Sequence, residues 1–255
     1  KKAVLGLSGG IDSAVVAVLA AHALGNENVH CLLMPSRFSS QHSIDDAVEL
    51  CKRNNLSYHI IPIEQPFRSF EQSLSSVFEG KENDVTEENI QARVRAIYLM
   101  AYSNKFGNIL LNTSNKSEMA VGYGTLYGDM CGAISVLGDV YKTQVYQLAH
   151  FLNTQNELIP IHIIQKPPSA ELRPNQKDSD SLPEYDLLDN LLYHIIEMQL
   201  TIPDLINMGF SEDVVKKVYR LVQNNEYKRY QAPPVLRVSS KAFGYGRRIP
   251  LVKKF

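Results

Sequence analysis

Residues 8–13 read Ser-Gly-Gly-Ile-Asp-Ser, directly after the apolar run at 3–7 and at the head of a long apolar stretch. Gly9 and Gly10 let the chain turn tightly and let an anion approach without Cβ interference, and Ser8 and Ser13 add hydroxyl donors. The N–H groups that open the following helix lack intrahelical partners, so an anion there gains both hydrogen bonds and the helix dipole. The chemistry is that of a pyrophosphate cradle. It has neither the lysine of G-x-x-x-x-G-K-[ST] loops nor the G-x-G-x-x-G of dinucleotide folds. Its plainer reading is a strand-to-helix turn capped by Ser or Asp.

Other candidates stand at a distance. Thr113 and Glu118 follow an apolar run at 108–112, and Asn89 and Arg93 are one helical turn apart and so share a face. The plainer reading of Arg93 and Arg95 is a pair of surface salt-bridge residues. Seven histidines show no metal spacing such as H-E-x-x-H. Cys31, Cys51 and Cys131 form no C-x-x-C pair, which fits a reducing compartment and structural roles. No covalent nucleophile is needed.

These residues require a frame. Residues 3–7, 29–34, 57–63 and 108–112 are short β-rich apolar runs with little alternation, as expected of strands buried on both faces. Between them, Asp12–Leu24 reads as a buried helix closed by a left-handed Gly25. Ser43 should open a second helix with Asp45 and Asp46 in its first turn, and Thr86 should cap a third whose Ile90, Val94, Ile97 and Ala101 form one buried stripe. Such alternation implies right-handed crossovers and an α/β fold: a doubly wound parallel sheet with helices on both faces. Ligands of such sheets bind beyond the carboxyl ends of the strands, where the loops 8–13, 35–43 and 113–118 meet. With strand order 3-2-1-4-5, Asp12 and Glu118 face each other. From about 160 to 185 the texture turns to Pro, Ser, Lys and Asp, a long functional loop or linker. Helical stretches near 185–199 and 211–225 make a helical C-terminal part, followed by an aromatic and basic tail.

At 255 residues and 44% hydrophobic content the chain can bury a substantial core as one domain spanning 1–255. A net charge of −1 with dispersed Lys and Arg gives no footprint for nucleic acid, and no apolar run approaches a membrane span. Small charged metabolites and a cytoplasmic location are expected.

"SGGIDS" resembles the signature of the N-type ATP pyrophosphatases, which cleave ATP between the α- and β-phosphates and adenylate a substrate. Four further blocks, "TEENIQARVR" (86–95), "NTSNKSEMAVGYGTLYGDM" (112–130), "KPPSAELRPNQKDSDSLPEYDLLD" (166–189) and "NEYKRYQAPP" (225–234), resemble the NAD synthetases, in order and across essentially the whole chain. The resemblance is closest to the synthetase portion of bacterial glutamine-dependent enzymes, in which a nitrilase-like glutaminase domain comes first. It implies ATP-dependent amidation of deamido-NAD through an adenylate, with release of AMP and pyrophosphate. Ammonia would arrive free or from glutamine. ATP would be contacted by Gly6, Leu7, Ser8, Gly9, Gly10, Ile11, Asp12, Ser13, Thr113, Lys142 and Ser169. Asn89, Arg93, Glu118 and Lys228 would contact deamido-NAD. Asp12 and Glu118 would hold Mg²⁺, and Asp12 and Lys142 would serve catalysis. A homodimer is implied as well. Each residue keeps a plainer reading: a helix cap for Asp12, a first-turn acid for Glu118, a strand-end hydroxyl for Thr113, a solvated residue for Lys142, Lys228 and Asn89, and a loop hydroxyl for Ser169.

One departure separates branches of the family. Ammonia-using synthetases carry Lys just before "YGD" and Asp four residues after its Asp, where this chain has Leu126 and Ala133. That favours the glutamine-dependent branch. The rival readings are a GMP synthetase, a tRNA-modifying thiolase and a non-catalytic nucleotide-binding protein. The thiolase would want reactive cysteines and a basic surface, and simple binding would not need two metal carboxylates.

Overall fold

The computed structural model describes residues 1–174, 176–244 and 246–251; Asn175 and Tyr245, in the loop and tail singled out above, lie outside the described residues. Five strands, β1 (Ala3–Gly6), β2 (Val29–Leu33), β3 (Ser57–Ile60), β4 (Ile109–Asn112) and β5 (Ile134–Ser135), form one sheet in the order β3-β2-β1-β4-β5. Every pair is parallel, with Ala3 opposite both Val29 and Ile109. The order supposed above for the sheet is the one found, and β5 is a two-residue strand outside the four apolar runs.

Side chains alternate across the sheet, and both faces are covered. Ala3, Leu5, Val29, Cys31, Leu33 and Leu111 point into a core shared with α1 (Ile11–Leu24), α2 (Gln41–Arg53) and the later α6 (Lys142–Leu152). Val4, Leu32 and Leu110 point the other way, against α4 (Val85–Phe106), which follows the short α3 (Glu64–Leu74). A third apolar cluster stands apart. It joins α5 (Lys116–Val121) to α8 (Tyr185–Ile196), α9 (Ile202–Asn207) and α10 (Glu212–Asn224), beyond α7 (Ile161–Gln165) and before α11 (Glu226–Tyr230).

Several local expectations are corrected. Helix α2 starts at Gln41, not Ser43, because the Ser40 side chain caps it by accepting from Ser43 N; Asp45 and Asp46 thus fall beyond its first turn. Helix α4 is capped by Asp84, in a capping box with Glu87, rather than by Thr86. Its expected stripe holds only in part: Ile90 and Val94 pack against the sheet, but Ile97 is 58% exposed and Ala101 is exposed. The inner face runs instead through Ile90, Val94, Tyr98, Leu99 and Tyr102, with Ala92 and Ala96 buried beside them. Gly25 closes α1 with φ 88° and ψ 140°, outside the left-handed helical region. Strand β3 ends at Ile60 and is an exposed edge, not buried on both faces. The three cysteines are unpaired. Among the described residues no helix is long and apolar enough to cross a membrane.

The aromatic and basic C-terminal tail is bound to the sheet. Ser135 N donates to Pro234 O and Leu236 N to Ser135 O, which extends the sheet past β5. Just beyond, Lys116 is fully buried, its Nζ bonded to Asp139 (2.8 Å), Glu197 (2.5 Å), Ser239 Oγ (3.1 Å) and Lys241 O (2.9 Å).

Candidate active site

The carboxyl ends of the strands open onto a cavity of about 310 Å³. The loop between β1 and α1 forms one wall. Gly9 holds φ +83°, and a Cβ there would lie 2.1 Å from Ser43 O, so the absence of a side chain lets the loop pass against α2. The two serines brace the loop: Ser8 Oγ and Ser13 Oγ are 3.2 Å apart, Gly10 N donates to Ser8 Oγ (3.1 Å), and Ser13 Oγ donates to Gly10 O (3.1 Å). Ser13 is buried. Its hydroxyl supports the cradle from within, which leaves the backbone N–H groups at the start of α1 as the outward donors.

Helix α5 supplies the opposite wall. Asn115 caps it, its Oδ1 accepting from Glu118 N at 2.9 Å, while its Nδ2 donates to Asp12 Oδ1 at 2.8 Å. One amide thus fixes both the helix carrying Glu118 and the carboxylate across the gap. Lys142, the first residue of α6, reaches between them: its Nζ pairs with Asp12 Oδ2 and lies 3.5 Å from Glu118 Oε1. The start of α6 is held in turn, since Lys142 N donates to Ser117 Oγ (2.9 Å), and Asp189 accepts from Ser117 Oγ (2.5 Å) and Thr143 N (2.8 Å).

The site carries more negative charge than Lys142 offsets. Burial, reinforced by the charge of Asp12 and only partly opposed by Lys142, pushes the Glu118 carboxyl up to about 8. Burial works against the Lys142 ammonium, but Asp12 and Glu118 outweigh it and raise its pKa above the ordinary lysine range. Asp178 adds a further carboxylate, held by Tyr123 (3.1 Å) and Tyr185 (2.8 Å). Two hard oxygen donors with unmet demand for positive charge fit a divalent cation such as Mg²⁺. Among the described residues no group of three or more His, Cys, Asp and Glu could hold a metal, so such an ion would complete its shell from water and ligand.

Of the sequence-derived ATP residues, Gly6, Leu7, Ser8, Gly10, Ile11, Asp12, Ser13, Thr113, Lys142 and Ser169 all line this cavity, and Gly9 shapes the loop from behind. Ser169 Oγ donates to Gln176 O at 2.5 Å. Glu118 lines the cavity; Asn89, Arg93 and Lys228 do not. Those three instead converge on residues 122–126. Asn89 Oδ1 accepts from Thr125 Oγ1 (2.7 Å), Arg93 Nε donates to Leu126 O (3.3 Å), and Lys228 Nζ donates to Gly122 O (2.8 Å) and Gly124 O (2.7 Å).

Three residues of the cavity were missed. Asp178 and Lys166 lie in the 166–189 block, where nothing in their spacing sets them apart; Lys166 Nζ donates to Ser43 Oγ at 2.9 Å. Arg95, read as half of a surface pair, lines the cavity. The 166–172 loop is itself fastened down: Glu171 accepts from Ser40 N, Ser40 Oγ and Ser43 Oγ, and Leu172 O accepts from Gln91.

The family profile described as NAD synthase matches residues 1–232. The glutamine-dependent NAD(+) synthetase of Synechocystis sp. is 50% identical over all of this chain and 46% of its own length. The glutamine-dependent NAD+ synthetase of Acinetobacter baumannii, solved with ADP, superposes with a TM-score of 0.65 at 45% identity, over 98% of this chain and 45% of that one. The NH3-dependent NAD synthetase of Campylobacter jejuni, solved with nitrate, superposes with a TM-score of 0.72 at 32% identity, over 92% of this chain and 89% of that one. The chain spans about half the length of the curated relatives it matches.

Proposed function

The chain belongs to the NAD synthase family, and from that membership and the cavity we propose that it amidates deamido-NAD at the expense of ATP. The observation that carries this reading is the meeting of the glycine loop with Asp12, Glu118 and Lys142 in one cavity. ATP would lay its β- and γ-phosphates on the N–H groups opening α1 and on Lys142, with Thr113 and Ser169 on the same rim. The nicotinate carboxylate would attack the α-phosphorus. A P–O bond forms to the carboxylate oxygen as the bond to the β-phosphate breaks, and pyrophosphate leaves on the donors that already hold it. Ammonia would then add to the acyl carbon and expel AMP, leaving the amide.

Two anions must approach each other in the first step, so positive charge and backbone dipoles fixed beforehand lower its barrier. Mg²⁺ held by Asp12 and Glu118 would supply charge neutralisation of the phosphates when bound. Asn89, Arg93 and Lys228, with Glu118, would contact deamido-NAD through or beside the 122–126 segment they share. We further read the chain as part of a cytoplasmic homodimer. The name of the Synechocystis relative, together with Leu126 and Ala133, supports glutamine as the source of the ammonia.

The test is a product balance. Purified protein given deamido-NAD, Mg·ATP and an ammonium salt releases AMP, pyrophosphate and NAD⁺ in equal amounts; release of ADP and phosphate overturns the proposal.

A further inference from the structure

Arg95 stands out among the cations of the cavity because its guanidinium is not consumed by the protein. Helix α4 turns Arg93 outward and Arg95 inward onto the cavity wall. Its Nε donates to Met34 O at 3.0 Å, and among the described residues no hydrogen bond or ion pair engages Nη1 or Nη2. Burial draws its pKa down to about 10, and Asp129 and Glu171 support its charge only through space. Guanidinium N–H groups that border the cavity without a protein acceptor favour a ligand that supplies one at this end of it.

The surroundings select the acceptor. Asp12 and Glu118, the carboxylates proposed for Mg²⁺, and Lys142, proposed for the phosphates, lie together by α1 and α5. The neighbours of Arg95 are the inner face of α4 and the strand ends, with apolar Met34, Ala96, Leu99 and Leu110 on the wall and the side-chain-free Gly6 beside them. Apolar walls suit a flat aromatic ring better than a polyanion, and Asp129 and Glu171 already offset the Arg95 charge. A neutral ring nitrogen takes a guanidinium N–H donor at little desolvation cost.

We propose that Arg95 is a base-recognition residue, its Nη groups donating to an unsubstituted ring nitrogen of the ATP purine. The assignment rests on the ATP reading above and adds a contact that selects the base.

Calorimetry tests it with ATP and its 1-, 3- and 7-deaza analogues, each lacking one ring acceptor, on wild-type protein and on Arg95→Met. Wild type should bind one of the three analogues about tenfold to a hundredfold more weakly than ATP, the loss expected for one charge-assisted hydrogen bond. Arg95→Met should show the same loss with ATP and no longer distinguish that analogue. Because the wild-type arm needs no mutation, the test stands even if the variant does not fold. Equal binding of ATP and all three analogues by wild type overturns the assignment, as does an Arg95→Met variant that weakens inorganic pyrophosphate as much as ATP, or deamido-NAD alone. Absence of any ATP binding by wild type overturns the ATP reading itself, so the two failures are distinguishable.

Discussion

Gly9→Ala is the sharpest perturbation of the cradle, because its cost can be built from two separate quantities. The new Cβ would start 2.1 Å from Ser43 O and within 2.9 Å of Ser43 C and Cα, all backbone atoms of α2. Neither side can yield by rotating a side chain, so loop and helix must part by about 1.3 Å to reach ordinary 3.4 Å contact. Overpacking of that kind costs about 1–3 kcal/mol. Holding alanine at φ +83° adds about 1–2 kcal/mol. The expected loss is therefore about 2–5 kcal/mol in urea unfolding, with a raised KM for ATP because the donors at the start of α1 move with the loop. Gly10→Ala is the matched control. Its Cβ meets only the Ser8 hydroxyl, at 3.2 Å, and its φ of −91° is ordinary for alanine, so its loss should stay below about 1 kcal/mol. Equal stability losses in the two variants, or an unchanged Gly9→Ala protein, would refute the reasoning.

Other consequences can be measured directly. Lys116→Met removes the cation between buried Asp139 and Glu197 and should cost about 3–5 kcal/mol in chemical denaturation, against under 1 kcal/mol if the cluster were idle. Asp12→Asn should keep its circular dichroism and melting transition but lower pyrophosphate release by about 10²–10³; wild-type turnover would remove Asp12 from the chemistry. His30 is held neutral to about pH 4 by partial burial and then by His59, whereas the unfolded chain protonates it near 6.5. The unfolded state therefore binds more protons between those values, and stability should fall as pH drops from 6.5 toward 4. His30→Gln should flatten that slope, by about 1–2 kcal/mol after allowing for the half-exposed ring, in urea titrations at pH 7, 5.5 and 4.5.

The parts legible in the sequence were those governed by one repeating physical rule. Short apolar runs separated by helical stretches point to a parallel sheet, and with the order β3-β2-β1-β4-β5, which the runs alone leave open, Asp12 and Glu118 face one cavity. What escaped depends on particular neighbours. Strand β5 is two residues long and gains its pairing from Leu111 and Asn112, so it leaves no local pattern. The inner face of α4 passes from Val94 to Tyr98 and Leu99 and not to Ile97, a choice that apolar spacing along the helix leaves open. Lys116 looks like a solvated helix residue until Asp139, Glu197 and the tail close around it from more than 20 positions away. Ser8 and Ser13 have the right types for ligand donors, yet their distance from each other sends their hydroxyls into the loop.

The three apolar clusters also bear on how the molecule holds together as it works. Asp12 is carried by α1, whose side chains belong to the core shared with the sheet, whereas Glu118 precedes Met119, Ala120 and Val121 in the separate cluster of the C-terminal helices. The carboxylates thus stand on opposite banks of a seam, with Lys142 and the Asn115–Asp12 hydrogen bond as the present ties across it. Whatever grips both acids rivets one core to the other, so its binding free energy is felt by helices far from the cavity. Amides of α10, none of whose residues lines the cavity, should then exchange with solvent more slowly when the seam is bridged, so that the site also fastens the fold.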